Sequence, residues 1–90
     1  MEINEKNIII LDDNNQYVVV KKITIENIIY YYIIDINDFT NIKYLYENGN
    51  ELIEIEDEKT IQNLIKIITN ETDLASLLKE SKKYIEQINK

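Results

Sequence analysis

Six carboxylates, Glu47, Glu51, Glu54, Glu56, Asp57 and Glu58, fall within twelve residues that hold no lysine. Carboxylates at this density can work as an acid and base pair, ligate a hard cation, or present negative potential to a cationic surface. Same-face residues of a strand repeat at roughly 6.6 Å, a spacing that sets carboxylates where a cationic groove expects phosphates. Read this way, the segment mimics a nucleic-acid backbone, occupies a Lys/Arg-rich groove on a protein and excludes nucleic acid from it. The plainer reading is a solvated strand edge whose charge keeps it from pairing with other chains.

Catalysis has little else to work with. A general base near neutral pH is usually histidine, and the chain has none. There is no cysteine nucleophile, and the only serines, Ser76 and Ser81, fall in a helical stretch without a base partner. A pair such as Glu54 and Glu56 could exchange a proton, but on a strand it reads better as a charged rim. The expectation is a non-enzymatic chain with no cofactor. Zinc has no ligand set without His or Cys, and no glycine-rich phosphate loop is present. Asp12-Asp13-Asn14 and Asp35-x-Asn37-Asp38 share the opening of a calcium loop, which needs Gly at its sixth position and Glu at its twelfth. Those positions are Tyr17 and Ile23 in the first, Thr40 and Tyr46 in the second. Both read as turns, and no metal is expected.

Seven tyrosines are the other chemically useful set. Most suit sheet packing, with hydroxyls at the edge. Tyr31 and Tyr46 neighbour the acidic hairpin end or a loop, and both are expected to be exposed anchors for a partner, since Tyr is enriched at interfaces.

The elements that position these groups follow from pattern. Ninety residues make one domain, here divided into a sheet part (1–56) and a helical part (57–90). Short β-type runs are expected over 7–11, 17–26, 28–36, 42–46 and 52–55. Period two puts Tyr17, Val19, Ile23 and Ile25 on one side of the second run, with Lys21-Lys22 marking a bulge or an exposed middle. Tyr30 and Tyr32 share a face opposite Tyr31. Asn48-Gly49-Asn50 holds the chain's only glycine and signals a tight hairpin. A turn on Asn48-Gly49 would set Tyr44 against Ile53, and a turn on Gly49-Asn50 would set it against Ile55. Either way Ile42, Tyr44, Tyr46, Ile53 and Ile55 share one face, and Leu45, Leu52, Glu54 and Glu56 the other. Asp57 is placed to cap a helix carrying Ile61, Leu64, Ile65 and Ile68, with Thr69-Asn70 breaking its pattern. A second helix is expected from near Thr72, with Leu74, Leu77, Leu78, Ser81, Ile85 and Ile88 in one stripe. Lys79, Lys82, Lys83 and Lys90 gather towards its C-terminal end. The fold expected is α+β: an antiparallel meander of about five strands followed by two C-terminal helices packed on one face. Whether they cover the Tyr44 face or the Leu45 face is open.

The net charge of −7 argues against direct contact with nucleic acid or anionic lipid and for a basic protein surface. The acidic N-terminal stretch carries no secretory signal, and no run is long enough to span a membrane, so a bacterial cytoplasm is expected. The 20 Ile and 12 Asn, with every cation a lysine, point to an AT-rich coding sequence, as in a low-GC bacterium or its phage.

Over residues 8–68 the chain resembles a family of short, acidic, mostly Gram-positive bacterial domains of unknown function. The shared motifs are Ile10-Leu11-Asp12-Asp13, the strand from Tyr17 to Ile23, the tyrosine strand from Tyr30 to Ile34, and the segment from Glu51 to Ile61. The turn differs, with Asn14-Asn15 where that family tends to have Gly. The resemblance implies a strand-rich fold and no assigned activity. In size and charge the chain is also similar to phage-encoded anti-CRISPR proteins. The function expected is therefore an inhibitor that docks on a basic groove of a nucleic-acid-binding protein. The alternative is a housekeeping interaction domain, able to form a homodimer through its tyrosines and last helix.

Overall fold

The computed structural model describes residues 2–71 and 73–88, so Thr72 and Lys90, like the side chain of Leu74, lie outside the described set. Five strands come first: β1 (Ile8–Ile10), β2 (Gln16–Ile25), β3 (Ile28–Asp35), β4 (Ile42–Asn48) and β5 (Glu51–Glu54). Helices α1 (Glu58–Glu71) and α2 (Leu74–Ile88) follow. The strands form one antiparallel sheet in sequence order, the meander anticipated above. No helix among the described residues is long and apolar enough to cross a membrane.

Turn chemistry sets the order. Asn14 takes a φ of 65°, and the Asp13 carboxylate accepts from the Asn15 amide at 2.9 Å, which closes the β1–β2 connection. The β2–β3 turn holds Glu26 (φ 50°) and Asn27 (φ 68°) between the paired Ile25 and Ile28. Both central residues are left-handed, as a type I′ turn requires. Asn tolerates that region and Glu does not, at a cost of roughly 1–2 kcal/mol. Replacing Glu26 with Asn is therefore expected to stabilise the fold by roughly 0.5–1 kcal/mol, seen as a higher urea midpoint. A lower midpoint would contradict this account of the turn.

In the β4–β5 hairpin, Asn48 pairs with Glu51, so Gly49-Asn50 is the two-residue turn. Gly49 has φ 64° and stands at the first central position, where a type II′ turn calls for glycine. Tyr44 consequently faces Ile55, whose amide donates to the Tyr44 carbonyl at 2.8 Å.

A bulge in β2 changes one sequence-based expectation. Val19 pairs with Ile33 but Lys21 pairs with Tyr32, which leaves Val20 as the extra residue. Parity flips there. Tyr17 and Val19 lie on the Leu45 face, whereas Val20, Ile23 and Ile25 join Val18 on the Tyr44 face. Unbroken period two had put Tyr17, Val19, Ile23 and Ile25 together.

The helices cover the Tyr44 face. Leu64 and Ile68 of α1 and Ile85 of α2 pack into a core with Val18, Val20, Ile23, Tyr32, Ile34 and Ile36. Asp57 and Asp73 cap the two helices, accepting from the amides of Thr60 (3.0 Å) and Ala75 (3.1 Å). Thr69-Asn70 does not end α1. The Thr69 hydroxyl donates back to the Ile65 and Lys66 carbonyls, so it is satisfied inside the helix and does not draw the backbone out of it. Lys82 stands over the Phe39 ring, 5.4 Å from its centroid, so it packs α2 against the β3–β4 loop.

The opposite face has no helix, yet Tyr17, Val19, Tyr31, Ile33 and Leu45 are buried on it. Ile3, Ile9, Leu11 and Leu52 close over them. Side chains from the first and last strands can do this only if the sheet curls. A cleft of about 750 Å³ marks the seam, bordered by Ile10, Leu11, Leu52 and Ile53.

Candidate functional site

The acidic segment occupies β5, the turn before it and the start of α1. Glu51, Glu54, Glu56, Asp57 and Glu58 are exposed, and Glu47 is half-buried. Their chemistry is not uniform. Glu47 accepts a hydrogen bond from the Tyr31 hydroxyl at 2.5 Å. Glu54 pairs with the Lys43 ammonium at 3.0 Å, and that lysine also lies 3.8 Å from the Asp13 carboxylate. Asp57 accepts from the Thr60 amide and, at 2.6 Å, from its hydroxyl. These bonds to the charged form hold the Asp57 carboxyl below the usual range. Glu51, Glu56 and Glu58 have no hydrogen-bond or ion-pair partner among the described side chains. The ribbon thus splits into three carboxylates with internal partners and three facing water.

Tyr31 corrects the expectation of two exposed anchors. Its side chain is 1% exposed, packed among Tyr17, Val19, Ile33 and Leu45, with only its hydroxyl reaching the rim at Glu47. β3 is central, and from Tyr31 to Asp35 its side chains are buried on both faces. Tyr46 is half-buried on the other face, beside Tyr30 with ring centroids 6.4 Å apart. The two rings line a groove of about 400 Å³ with Ile28, Ile53 and Ile55, rimmed by Glu54, Glu56 and Asp57. Ile28 is 40% exposed at its end. The structure therefore brings Tyr46 together with Glu54, Glu56 and Asp57, sets Glu51 at the other cleft, and removes the Tyr31 ring from the accessible surface.

A second polar group was not anticipated. The Tyr17 hydroxyl donates to Asp13 at 2.6 Å and accepts from the Asn41 amide at 3.1 Å, and the same Asn41 nitrogen donates to the buried Asp35 at 3.1 Å. Lys43 closes the set, its ammonium 5.9 Å from the Tyr17 ring centroid. Lys43 is the sole cation between Lys22 and Lys59, and that isolation was the one available signal. The pairing with Glu54 raises the Lys43 pKa, and the Tyr17 hydrogen bond lowers that of Asp13.

Burial shifts the phenols. It raises Tyr17, Tyr31, Tyr32 and Tyr44 above their ordinary value, Tyr32 to about 12, with hydrogen bonds to Asp13 and Glu47 adding to it at Tyr17 and Tyr31. A raised folded pKa means that the fold favours the neutral phenol. That stability is fully present below about pH 10 and is lost as pH rises through the folded values. Unfolding should therefore begin only above about pH 10, with tyrosinate absorbance and loss of far-ultraviolet signal rising together. Titration of these four phenols near pH 10 in a chain that stays folded would contradict their burial.

Among the described residues, no group of three carboxylates is gathered closely enough to hold a metal ion. Asp13, Asp35 and Asp38 spend their oxygens on the amides of Asn15, Asn37 and Thr40, the turn chemistry expected of them. Comparison with protein families, with characterised proteins and with solved structures gave no match to this chain.

Proposed function

We propose that the chain is a non-enzymatic, acidic protein-binding module that docks on the basic groove of a nucleic-acid-binding protein and blocks nucleic-acid access. It would act as an inhibitor of the anti-CRISPR kind, encoded by a phage or mobile element. One observation carries the reading. Glu54, Glu56 and Asp57 rim the Tyr30–Tyr46 groove, and Glu51 and Glu58 on the same ribbon are exposed and, like Glu56, have no partner among the described side chains. A lysine or arginine entering there can lay its aliphatic stem on the two rings and set its charge among the carboxylates. Such charges steer encounter and set specificity, and salt weakens them.

The alternative, a housekeeping domain that dimerises through its last helix, has less to draw on. Ser81 and Ile85 of the apolar stripe are already buried in this chain.

The test is displacement. With a fluorescent DNA duplex bound to poly-L-lysine at low salt, the chain is expected to release the DNA in a saturable way. A chain carrying Glu51→Lys, Glu56→Lys and Glu58→Lys is expected to leave it bound. Equal release by both chains would remove the support for a localised acidic site.

A further inference from the structure

The seam of the curled sheet has a chemistry of its own. The Ile55 amide bonds to β4, so alternation turns the amides and carbonyls of Leu52 and Glu54 to the free side of β5. Flanking β1, the Asn7 carbonyl accepts from the Val19 amide and the Leu11 amide donates to the Asn15 carbonyl, so alternation leaves the backbone of Ile8 and Ile10 facing outwards. Two unpaired strand edges thus border one cleft, with Ile10 and Leu11 on one wall and Leu52 and Ile53 on the other. Leu45 lies in its floor. Natural sheets usually cover or blunt such edges. Here the guard is charge: four carboxylates, Asp12, Asp13, Glu51 and Glu54, line the cleft against a single lysine, Lys43.

We propose that this cleft is a strand-addition site, which takes an extended, lysine- or arginine-bearing segment of the partner protein as a sixth strand on β5. The inference rests on the acidic docking proposed above and specifies how part of the partner is held. Main-chain bonds to Leu52 and Glu54 would supply affinity, and side chains would supply choice. Leu52 and Glu54 share the inward face with Leu45 and Glu47. The matching segment therefore carries an apolar residue beside Leu52 and a cation two positions away beside Glu54. Glu51, on the opposite face, favours a second cation at the position adjoining the apolar residue, on the side away from the first cation.

The probe is a capped peptide of about eight residues in which valine and lysine alternate at every second position with threonine between them, a strand-length segment that sets valine beside Leu52 and lysine beside Glu54. Its control carries N-methyl groups on alternate amides, which keeps the charge and removes donors to the edge. On the protein side, Glu54→Gln and Glu54→Pro both remove the charge, and only the proline removes the outward donor. The expected result is binding weakened about tenfold or more by N-methylation, and by Glu54→Pro relative to Glu54→Gln, since a lost set of paired backbone groups costs at least that much. Saturating peptide should also slow hydrogen exchange at the Leu52 and Glu54 amides. Equal binding of both peptides, or unchanged exchange at those amides, would overturn strand addition and leave docking by charge intact. Loss of poly-L-lysine binding as well would overturn both. If the free chain sediments as a dimer with those amides already protected, the edge takes a second copy, and the proposal for a basic segment fails.

Discussion

Ile85→Asp is expected to leave the chain largely unfolded at room temperature, whereas Ile88→Asp three residues later should fold almost as the parent does. Ile85 is 1% exposed and packs against the sheet with Leu64 and Ile68, while Ile88 is 41% exposed. Truncating such a buried side chain costs roughly 2–5 kcal/mol. A carboxylate there adds the penalty of an unpaired charge in an apolar setting, or of the proton needed to neutralise it, several kcal/mol more. The whole stability of a small domain is about 5–15 kcal/mol. Urea unfolding followed by far-ultraviolet circular dichroism reads the effect directly. The same pair of variants addresses the dimer alternative. If the stripe served mainly to pair two copies, Ile85→Asp would give a folded monomer with a near-normal midpoint, and α2 would not be part of this chain's own core.

Reversing Glu51, Glu56 and Glu58 to lysine is expected to weaken binding to poly-L-lysine by about 100-fold or more at low salt, because each reversal removes an attraction and adds a repulsion. The informative control reverses Glu26, Glu80 and Glu86, which are also exposed but belong to the β2–β3 turn and α2. Both triple variants carry the same net charge. If position matters, the control loses far less than the reversal of Glu51, Glu56 and Glu58. Equal losses would mean that net charge alone drives association. Glu58→Lys also opposes the dipole at the start of α1, at roughly 0.3–1 kcal/mol, so thermal unfolding accompanies the affinities.

Much of this architecture is legible in residue order because its punctuation is local. The Asp13–Asn15 turn, the Glu26-Asn27 pair, Gly49 and the Asp57 cap each act within a few residues. Strand parity likewise separates Tyr31 from Tyr30 and Tyr32. What could not be read depends on contacts distant in the chain. Both faces of β3 are apolar, so only packing decides that the helices take the Tyr44 face. Lys21-Lys22 offered a bulge as one of two readings, but only the pairing shows that the extra residue is Val20 and that Ile23 and Ile25 cross the sheet. Thr69 ends a helix in some settings, whereas here its hydroxyl bonds back to the Ile65 carbonyl and α1 runs on through it. Tyr31 reads as an interface residue until the curl of the sheet buries it.

The acidic segment shows the same division. Its exposure follows from sequence, because charged residues beside a hairpin turn have nowhere to be buried. Its inequality does not. Glu47 meets Tyr31 across the β3–β4 pairing, and Glu54 meets Lys43 diagonally across β4–β5. Those partnerships leave Glu51, Glu56 and Glu58 as the charges free to meet another molecule.

The salt dependence of affinity is the most direct measurement of that role. Calorimetric titration of the chain with poly-L-lysine from ~50 to ~500 mM sodium chloride spans screening lengths from about 14 Å, roughly twice the spacing of same-face strand carboxylates, to about 4 Å, below that spacing. The dissociation constant should rise steeply across that range for the parent chain and far less for the Glu51, Glu56 and Glu58 reversal. A parent affinity that is flat in salt would contradict a grip made by these carboxylates.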